Sequence, residues 1–275
     1  MQPLIRAFAG ALLAVIWICA LTGCASHADT QSSLDALAAT HGMQTTLTPG
    51  TRFQHVLYRQ GDLATAPRIH LYLEGDGRPW DTRHRIASDP TPRDPLALRL
   101  MARDPMAALY LGRPCYHQRP QSRGCTPWLW THGRYSQEVV ESMVAAVTHS
   151  LPHDERRRIT LIGYSGGGVL AMLMAERLAG VDSLVTIAAN LDTDAWSDHH
   201  GYSRLVGSLN PAERSPLETS IRQLHLIGAR DDRVPPETIR RFRSWNPRVS
   251  YKVMPGFDHR CCWVDAWPSL LTEFR

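Results

Sequence analysis

The 275-residue sequence has no strong excess of charge, no internal repeat and no low-complexity tract. Its formal net charge is +4, and its arginines are dispersed along the chain. The longest basic run, in ERRRI at 155–159, is typical of a solvated edge. Such mild and dispersed charge does not favour binding to nucleic acid or to an acidic polymer. With 43% hydrophobic and 20% charged residues, the composition is that of a globular protein. The length allows one large α/β domain with a sizeable core.

The apolar run near the N-terminus is short for a membrane-spanning helix. It follows Arg6, reads AFAGALLAVIWICALTG and ends directly at Cys24, whereas a span needs about 20 apolar residues. Its shape is that of a signal peptide. The residues LTGC resemble the lipobox of bacterial lipoproteins, which implies cleavage before Cys24 and lipidation of that residue. Ala25 is not the aspartate that retains many such proteins at the inner membrane, so the resemblance implies an outer-membrane address facing the periplasm.

This interpretation divides the chain into three parts: a signal peptide at 1–23, a lipid-anchored tether at 24–41 and a folded domain at 42–275. A plain secretory signal with a chance cysteine is the alternative. In either case the folded domain lies outside the cytoplasm.

The cysteines lack the two separated Cys-x-x-Cys pairs of a structural zinc site, so no metal site is expected. Cys19 would leave with the signal peptide, and an oxidising compartment favours pairing among the remaining thiols. Cys115 and Cys125 bracket the polar segment YHQRPQSRG and are predicted to form a disulfide. Cys261 and Cys262 are adjacent, and the sequence leaves open whether they pair with each other or exchange partners with the first pair.

Apolar strands alternate with amphipathic helices along the rest of the chain. This alternation predicts a mostly parallel sheet that helices cover on both faces. An irregular stretch is expected from 192 to about 220. The patterns predict strands at 53–60, 68–77, 107–114, 158–165, 183–191, 223–232 and 250–259, and helices at 94–104, 136–151, 167–179, 236–245 and from Trp263 onward.

The segment GYSGG matches the Gly-x-Ser-x-Gly nucleophile elbow. A predicted strand precedes Ser165 and a predicted helix follows it, which is the context that this motif requires. Gly163 and Gly167 are expected because side chains would collide across so tight a turn. The N–H of Gly166 lies at the start of the helix, where it can donate to a developing oxyanion. Ser165 is therefore the candidate nucleophile.

A serine nucleophile needs a base and an orienting carboxylate from later strand ends. His259 follows the last predicted strand, and Asp231 follows the strand before it. With these residues the chain resembles the α/β-hydrolases from about residue 42 to the end, in the chain order Ser, Asp, His. The segment GARDDRVP matches the GxxDxxVP turn of that family and selects Asp231 over Asp232. Asp192 is a rival acid, since some members of the family take the acid from the preceding strand.

The resemblance implies an eight-stranded sheet with the irregular excursion after its sixth strand. It also implies that the second oxyanion donor lies in LEGDGRPW, where this chain has Glu74 in place of the histidine of many relatives. The N–H of Asp76 is the first candidate and that of Gly75 the second.

The expected activity is carboxylester hydrolysis through an acyl-enzyme, without metal or organic cofactor. The expected partners are a small ester and, through the lipid anchor, a membrane. Peptide, amide or thioester cleavage and a non-catalytic envelope lipoprotein that serves as a binding module are the alternatives.

Overall fold

The computed structural model of the protein describes residues 30–117 and 124–274. The predicted signal peptide and Cys24 lie outside these residues. Within the described ranges, no helix combines the length and the apolar character needed to cross a bilayer.

The core of the fold is an eight-stranded, mostly parallel sheet, as predicted. The strands are β1 (Gln44–Pro49), β2 (Gln54–Gln60), β3 (Arg68–Leu73), β4 (Trp80–Thr82), β5 (Arg85–Ile86), β6 (Ala108–Leu111), β7 (Arg158–Tyr164), β8 (Val181–Ile187), β9 (Arg222–Gly228) and β10 (Ser250–Met254). All of them except β4 and β5 belong to this sheet, in the order β1-β2-β6-β3-β7-β8-β9-β10. Only the pairs β1–β2 and β2–β6 are antiparallel. A separate two-stranded hairpin, β4–β5, was not predicted.

Helices cover both faces of the sheet. Successive side chains of β3 point to opposite faces of the sheet, and both faces are apolar. Leu71 packs into one buried hydrophobic cluster and Tyr72 into the other, so each face is covered by helices. The described helices are α1 (Thr30–Thr40), α2 (Leu96–Met101), α3 (Gln137–Ser150), α4 (Gly166–Ala175), α5 (Thr193–His200), α6 (Arg240–Trp245) and α7 (Trp263–Leu271). Side chains of α3 and α4 fill the cluster that contains Leu71, and those of α1, α2 and α7 fill the other.

The predicted tether at 24–41 overlaps with helix α1. Leu34 and Ala38 are fully buried against the sheet, and the Tyr58 hydroxyl donates to Asp35 Oδ1 at 3.0 Å. The packed domain therefore extends upstream of the predicted boundary at residue 42.

Two other predicted segments differ in detail. The stretch expected to be irregular contains α5, which Asp192 caps by accepting from the Ala195 N–H at 3.1 Å. Its polar sequence has no apolar periodicity, so the helix left no signal. The helix predicted at 236–245 divides into a 3₁₀ turn, Pro236–Ile239, and α6.

Candidate active site

Ser165 stands at a sharp turn between β7 and α4. Its backbone has φ 52° and ψ −123°, a conformation that non-glycine residues rarely adopt. The turn is crowded, since a Cβ on Gly163 would lie 2.3 Å from the Gly167 carbonyl oxygen. The loop after β3 also approaches closely, and a Cβ on Gly75 would lie 3.2 Å from Ser165 Cβ. The glycines thus allow the strained turn that the motif predicts.

His259 and Asp231 lie beside Ser165 at the carboxyl edge of the sheet. His259 Nε2 is 3.1 Å from Ser165 Oγ, and His259 Nδ1 is 2.9 Å from Asp231 Oδ2. The Asp231 side chain is fully buried, whereas that of His259 is 15% exposed. Asp231 Oδ1 accepts the backbone N–H groups of Arg233 and Val234 at 2.9 and 2.8 Å. The hydroxyl, imidazole and carboxylate form one hydrogen-bonded chain that is buried at Asp231 and partly exposed at His259 and Ser165.

The two rival aspartates point elsewhere. Asp192 accepts both Nε and Nη2 of Arg241, at 2.7 and 2.8 Å, in addition to its role as a helix cap. The Asp232 side chain is 87% exposed. Asp231 is therefore the predicted acid that contacts His259.

The loop after β3 is held down by Glu74. The buried Glu74 carboxylate accepts the Gly75 N–H at 3.0 Å and the Ala97 N–H, at the start of α2, at 2.9 Å. Burial raises the pKa of Glu74 to about 7, although these backbone donors oppose the shift. Because its N–H is occupied, Gly75, the second candidate, is not an oxyanion donor in this conformation. The N–H groups of Asp76 and Gly166 have no hydrogen-bond partner among residues 30–117 and 124–274.

No protein-family model and no curated protein matches this sequence. Among solved structures, an esterase from Pyrococcus furiosus superposes with a TM-score of 0.59 at 15% identity, over 86% of this chain and 92% of that one. A membrane phospholipase A, a bacterial virulence factor, superposes with a TM-score of 0.57 at 15% identity, over 97% of each chain. A puromycin hydrolase gives 0.57 at 17% identity over 84% of this chain, which spans only 38% of that protein.

The fold is that of the α/β-hydrolases. The sequence identities are low, so the likeness establishes the fold alone. Within an α/β-hydrolase fold, the elbow, the acid turn and the loop of the last strand occupy the sheet edge where ligands gather.

A charged cluster next to the α/β-hydrolase elbow was not predicted. The carboxylate of Asp76 accepts hydrogen bonds from Arg113, Arg134 and Tyr135. Arg113 lies within the strand predicted at 107–114, which ends at Leu111 in the structure, and Arg134 lies in HGRYS just before α3. Their side chains are only 2% and 8% exposed. Arginine is rarely buried unless it is paired with an acidic group. Sequence spacing gives no signal for this cluster, because its members come from loops that are far apart in the chain.

A second serine–histidine pair lies inside the domain. His55 Nε2 is 2.8 Å from Ser142 Oγ, and His55 Nδ1 is 2.9 Å from the Gly112 carbonyl oxygen. Both side chains are buried, and burial lowers the pKa of His55 to about 4. The pair has no carboxylate behind the histidine and no access to solvent, so it is a structural hydrogen bond of the core.

The described cysteines form two disulfides. Cys115 and Cys125 are joined with a Cα–Cα distance of 5.6 Å. Cys261 and Cys262 are joined to each other, which resolves the alternative that the sequence left open. In the chain, Arg260 alone separates this adjacent pair from His259. No grouping of His, Cys, Asp and Glu that could hold a metal ion occurs in the described ranges.

Proposed function

We propose that the protein is a serine hydrolase that cleaves carboxylic esters through an acyl-enzyme on Ser165. The observation that carries the proposal is the hydrogen-bonded chain from Ser165 Oγ through His259 to Asp231, with distances of 3.1 and 2.9 Å. The strained elbow presents this hydroxyl at the carboxyl edge of the sheet. Such an arrangement supplies the nucleophile, the base and the orienting group of acyl transfer.

In the first half-reaction, His259 Nε2 accepts the hydroxyl proton while Ser165 Oγ attacks the ester carbonyl carbon. The carbonyl oxygen becomes an oxyanion, for which the N–H groups of Gly166 and Asp76 are the donors. The tetrahedral intermediate collapses with loss of the alcohol, which takes the proton from His259 Nε2. The product of this step is an acyl ester of Ser165.

In the second half-reaction, water replaces the alcohol. His259 Nε2 accepts a proton from water, whose oxygen attacks the acyl carbonyl, and the same proton returns to Ser165 Oγ as the acid leaves. Asp231 has the same role in both half-reactions. It accepts the Nδ1–H of His259, which keeps Nε2 free to accept a proton and stabilises the imidazolium that forms.

Ester substrates are favoured by the names of two fold neighbours, an esterase and a phospholipase A. Amide cleavage is the comparison to make, because a serine, histidine and aspartate in this arrangement also serve peptide and amide hydrolysis. We further propose that the protein is anchored in the outer membrane, facing the periplasm, by lipid on Cys24. The support for this anchor is the segment LTGC at the end of the apolar run.

A panel of p-nitrophenyl esters of increasing acyl length, with matched p-nitroanilides, tests the activity. The matched control is Ser142→Ala, because Ser142 is the serine of the other serine–histidine pair. We expect ester turnover in the wild type and in Ser142→Ala, and a loss of about 10⁴-fold or more in Ser165→Ala. Ester turnover that survives Ser165→Ala, or faster turnover of the anilides, would overturn the proposed function.

A further inference from the structure

We propose that the buried cluster of Asp76, Arg113, Arg134 and Tyr135 is a positioning device for the oxyanion hole. It fixes the Asp76 N–H in its donor position and makes the charge beside the oxyanion net positive. This inference rests on the proposed serine hydrolase function. It extends that function to Arg113, Arg134 and Tyr135, which do not touch the reacting atoms.

The cluster holds Asp76 by both its side chain and its main chain. Arg113 Nη1 donates to Oδ1 at 2.6 Å and Arg134 Nη1 donates to Oδ2 at 2.7 Å. The Tyr135 hydroxyl lies between the two carboxylate oxygens, at 2.8 and 2.7 Å. The Tyr116 hydroxyl donates to the Asp76 carbonyl oxygen at 3.1 Å. Because the side chain and the carbonyl group of Asp76 are both held, the backbone of this residue has little freedom to rotate and so to redirect its N–H.

The arginines are themselves fixed. Arg113 Nη2 donates to the Arg134 carbonyl oxygen at 2.8 Å, and Arg134 Nε donates to the Thr131 carbonyl oxygen at 2.6 Å. Arg113 also lies over the rings of Tyr116 and Tyr135, at 5.1 and 5.4 Å from their centroids. The cluster therefore ties the loop after β3 to the loops after β6 and before α3.

The same cluster contacts the other oxyanion donor. A Cβ placed on Gly166 would lie 2.0 Å from Asp76 Oδ1 and 2.5 Å from the Tyr135 hydroxyl oxygen. The first residue of α4 therefore packs directly on the carboxylate. The spacing between the Gly166 and Asp76 N–H groups depends on this contact, and an oxyanion hole needs both donors within hydrogen-bond distance of one oxygen.

The charges of the cluster explain how a carboxylate can stand next to an oxyanion site. Burial alone would raise the pKa of Asp76, but the charges of Arg134 and Arg113 hold it well below its usual range. Asp76 is therefore ionised, and by itself it would oppose a developing negative charge. Two guanidinium groups and one carboxylate give the cluster a net positive charge. Because the cluster is largely buried, solvent screens the effect of this charge on the reaction centre only weakly.

A purely structural role is the competing explanation, and the protein contains a matched example of one. The Tyr72 hydroxyl donates to the buried Asp104 carboxylate at 2.6 Å and accepts from Trp267 Nε1 at 2.9 Å. This pair resembles Tyr135–Asp76 in chemistry, although the Asp104 side chain is fully buried and that of Asp76 is 17% exposed. Tyr72 belongs to the hydrophobic core on the opposite face of the sheet from Tyr135. A buried ion pair is by itself weak evidence for a stabilising role. Comparing the two sites therefore distinguishes an effect on the oxyanion hole from an effect on the stability of the fold.

The test compares Tyr135→Phe with Tyr72→Phe in the full-length protein. Each variant removes one hydroxyl from a buried carboxylate and keeps the ring. Loss of a whole oxyanion donor costs about 10²–10³-fold in kcat, and loosening one should cost about tenfold. For Tyr135→Phe we expect kcat to fall by about this factor with KM unchanged, and a trifluoromethyl ketone inhibitor, which forms the same oxyanion, to bind more weakly by the same factor. For Tyr72→Phe we expect a lower Tm and unchanged kcat.

Arg113→Lys is the second variant, because lysine keeps the charge but has one nitrogen in place of the planar fork whose Nη1 and Nη2 hold Asp76 and the Arg134 carbonyl. It should show the same parallel loss in kcat and in inhibitor affinity. Ser165-dependent turnover that is unchanged in both Tyr135→Phe and Arg113→Lys would overturn this inference alone. Equal losses in Tyr135→Phe and Tyr72→Phe would also overturn it, since both would then reflect stability. Wild-type turnover that does not depend on Ser165 would overturn the proposed function and this inference with it.

Discussion

Replacing Asp231 by asparagine should stop turnover without unfolding the protein, because the structure forces the new amide into the wrong orientation. Asp231 Oδ1 accepts two backbone N–H groups, from Arg233 and Val234. An asparagine keeps both bonds only if its oxygen faces the loop. Its NH₂ group then faces His259 Nδ1, so the imidazole must place its proton on Nε2, which points at Ser165 Oγ. In that tautomer the ring cannot accept the serine proton.

The expected size of the effect follows from this tautomer. A misplaced proton on the general base lowers kcat by about 10⁴-fold, which corresponds to about 5.5 kcal/mol of transition-state stabilisation. The oxyanion donors and the binding surface remain, so a residual rate above that of water is expected. KM should change little, because the acid does not contact the bound ester.

Steady-state turnover of the best p-nitrophenyl ester measures this effect, with circular dichroism and Tm to confirm folding. Asp192→Asn is the control for loss of a buried carboxylate, because Asp192 holds Arg241 rather than His259. It should lower Tm and leave kcat near the wild-type value. Asp232→Asn should change neither. A crippled Asp192→Asn variant beside a near-normal Asp231→Asn variant would refute the assignment of the acid.

The remaining predictions concern the oxyanion site, the loop after β3 and the cysteines. Gly166→Ala should lower kcat by about 100-fold or more, because the new Cβ would lie 2.0 Å from Asp76 Oδ1. Burial raises the pKa of Glu74 from 4.5 to about 7, so the stability it contributes is full below pH 4.5 and is lost as pH rises through 7. Urea unfolding should show the wild type losing up to about 3 kcal/mol relative to Glu74→Gln over this interval, and equal pH profiles would contradict this. Cys115→Ser with Cys125→Ser should lower the free energy of unfolding by about 3 kcal/mol in urea titrations, and no change would argue against a bridge in the purified protein. Mass spectrometry of the N-terminal peptide should find a lipidated Cys24, and an unmodified Cys24 would contradict the anchor.

The serine, acid and histidine segments could be read from the sequence because their signals are local. The pattern GxSxG reports a turn whose crowding involves neighbours in the chain, such as Gly163 and Gly167. The pattern GxxDxxVP is equally local, since the N–H of Val234 is one of the donors that fix Asp231. Alternating strands and helices then predict that these turns meet at one sheet edge.

The features that were missed depend on long-range contacts. Arg113 and Arg134 lie 37 and 58 residues from Asp76 in the chain, and nothing near either arginine distinguishes it from a solvated one. Helix α1 falls within the predicted tether. Its two fully buried residues, Leu34 and Ala38, are four positions apart, and a single such interval is too short to predict a buried helix face. The hairpin β4–β5 consists of exposed residues and carries no apolar alternation.

The most direct test of the central claim is to locate the site of a covalent fluorophosphonate adduct. The purified wild-type protein is treated with the probe, digested and mapped by tandem mass spectrometry. The account predicts a single phosphonylated residue, Ser165, no adduct on Ser142, and no labelling of Ser165 in Asp231→Asn on the time scale that saturates the wild type. An adduct on another serine, or none at all under conditions that preserve the fold, would contradict the claim that Ser165 is an activated nucleophile.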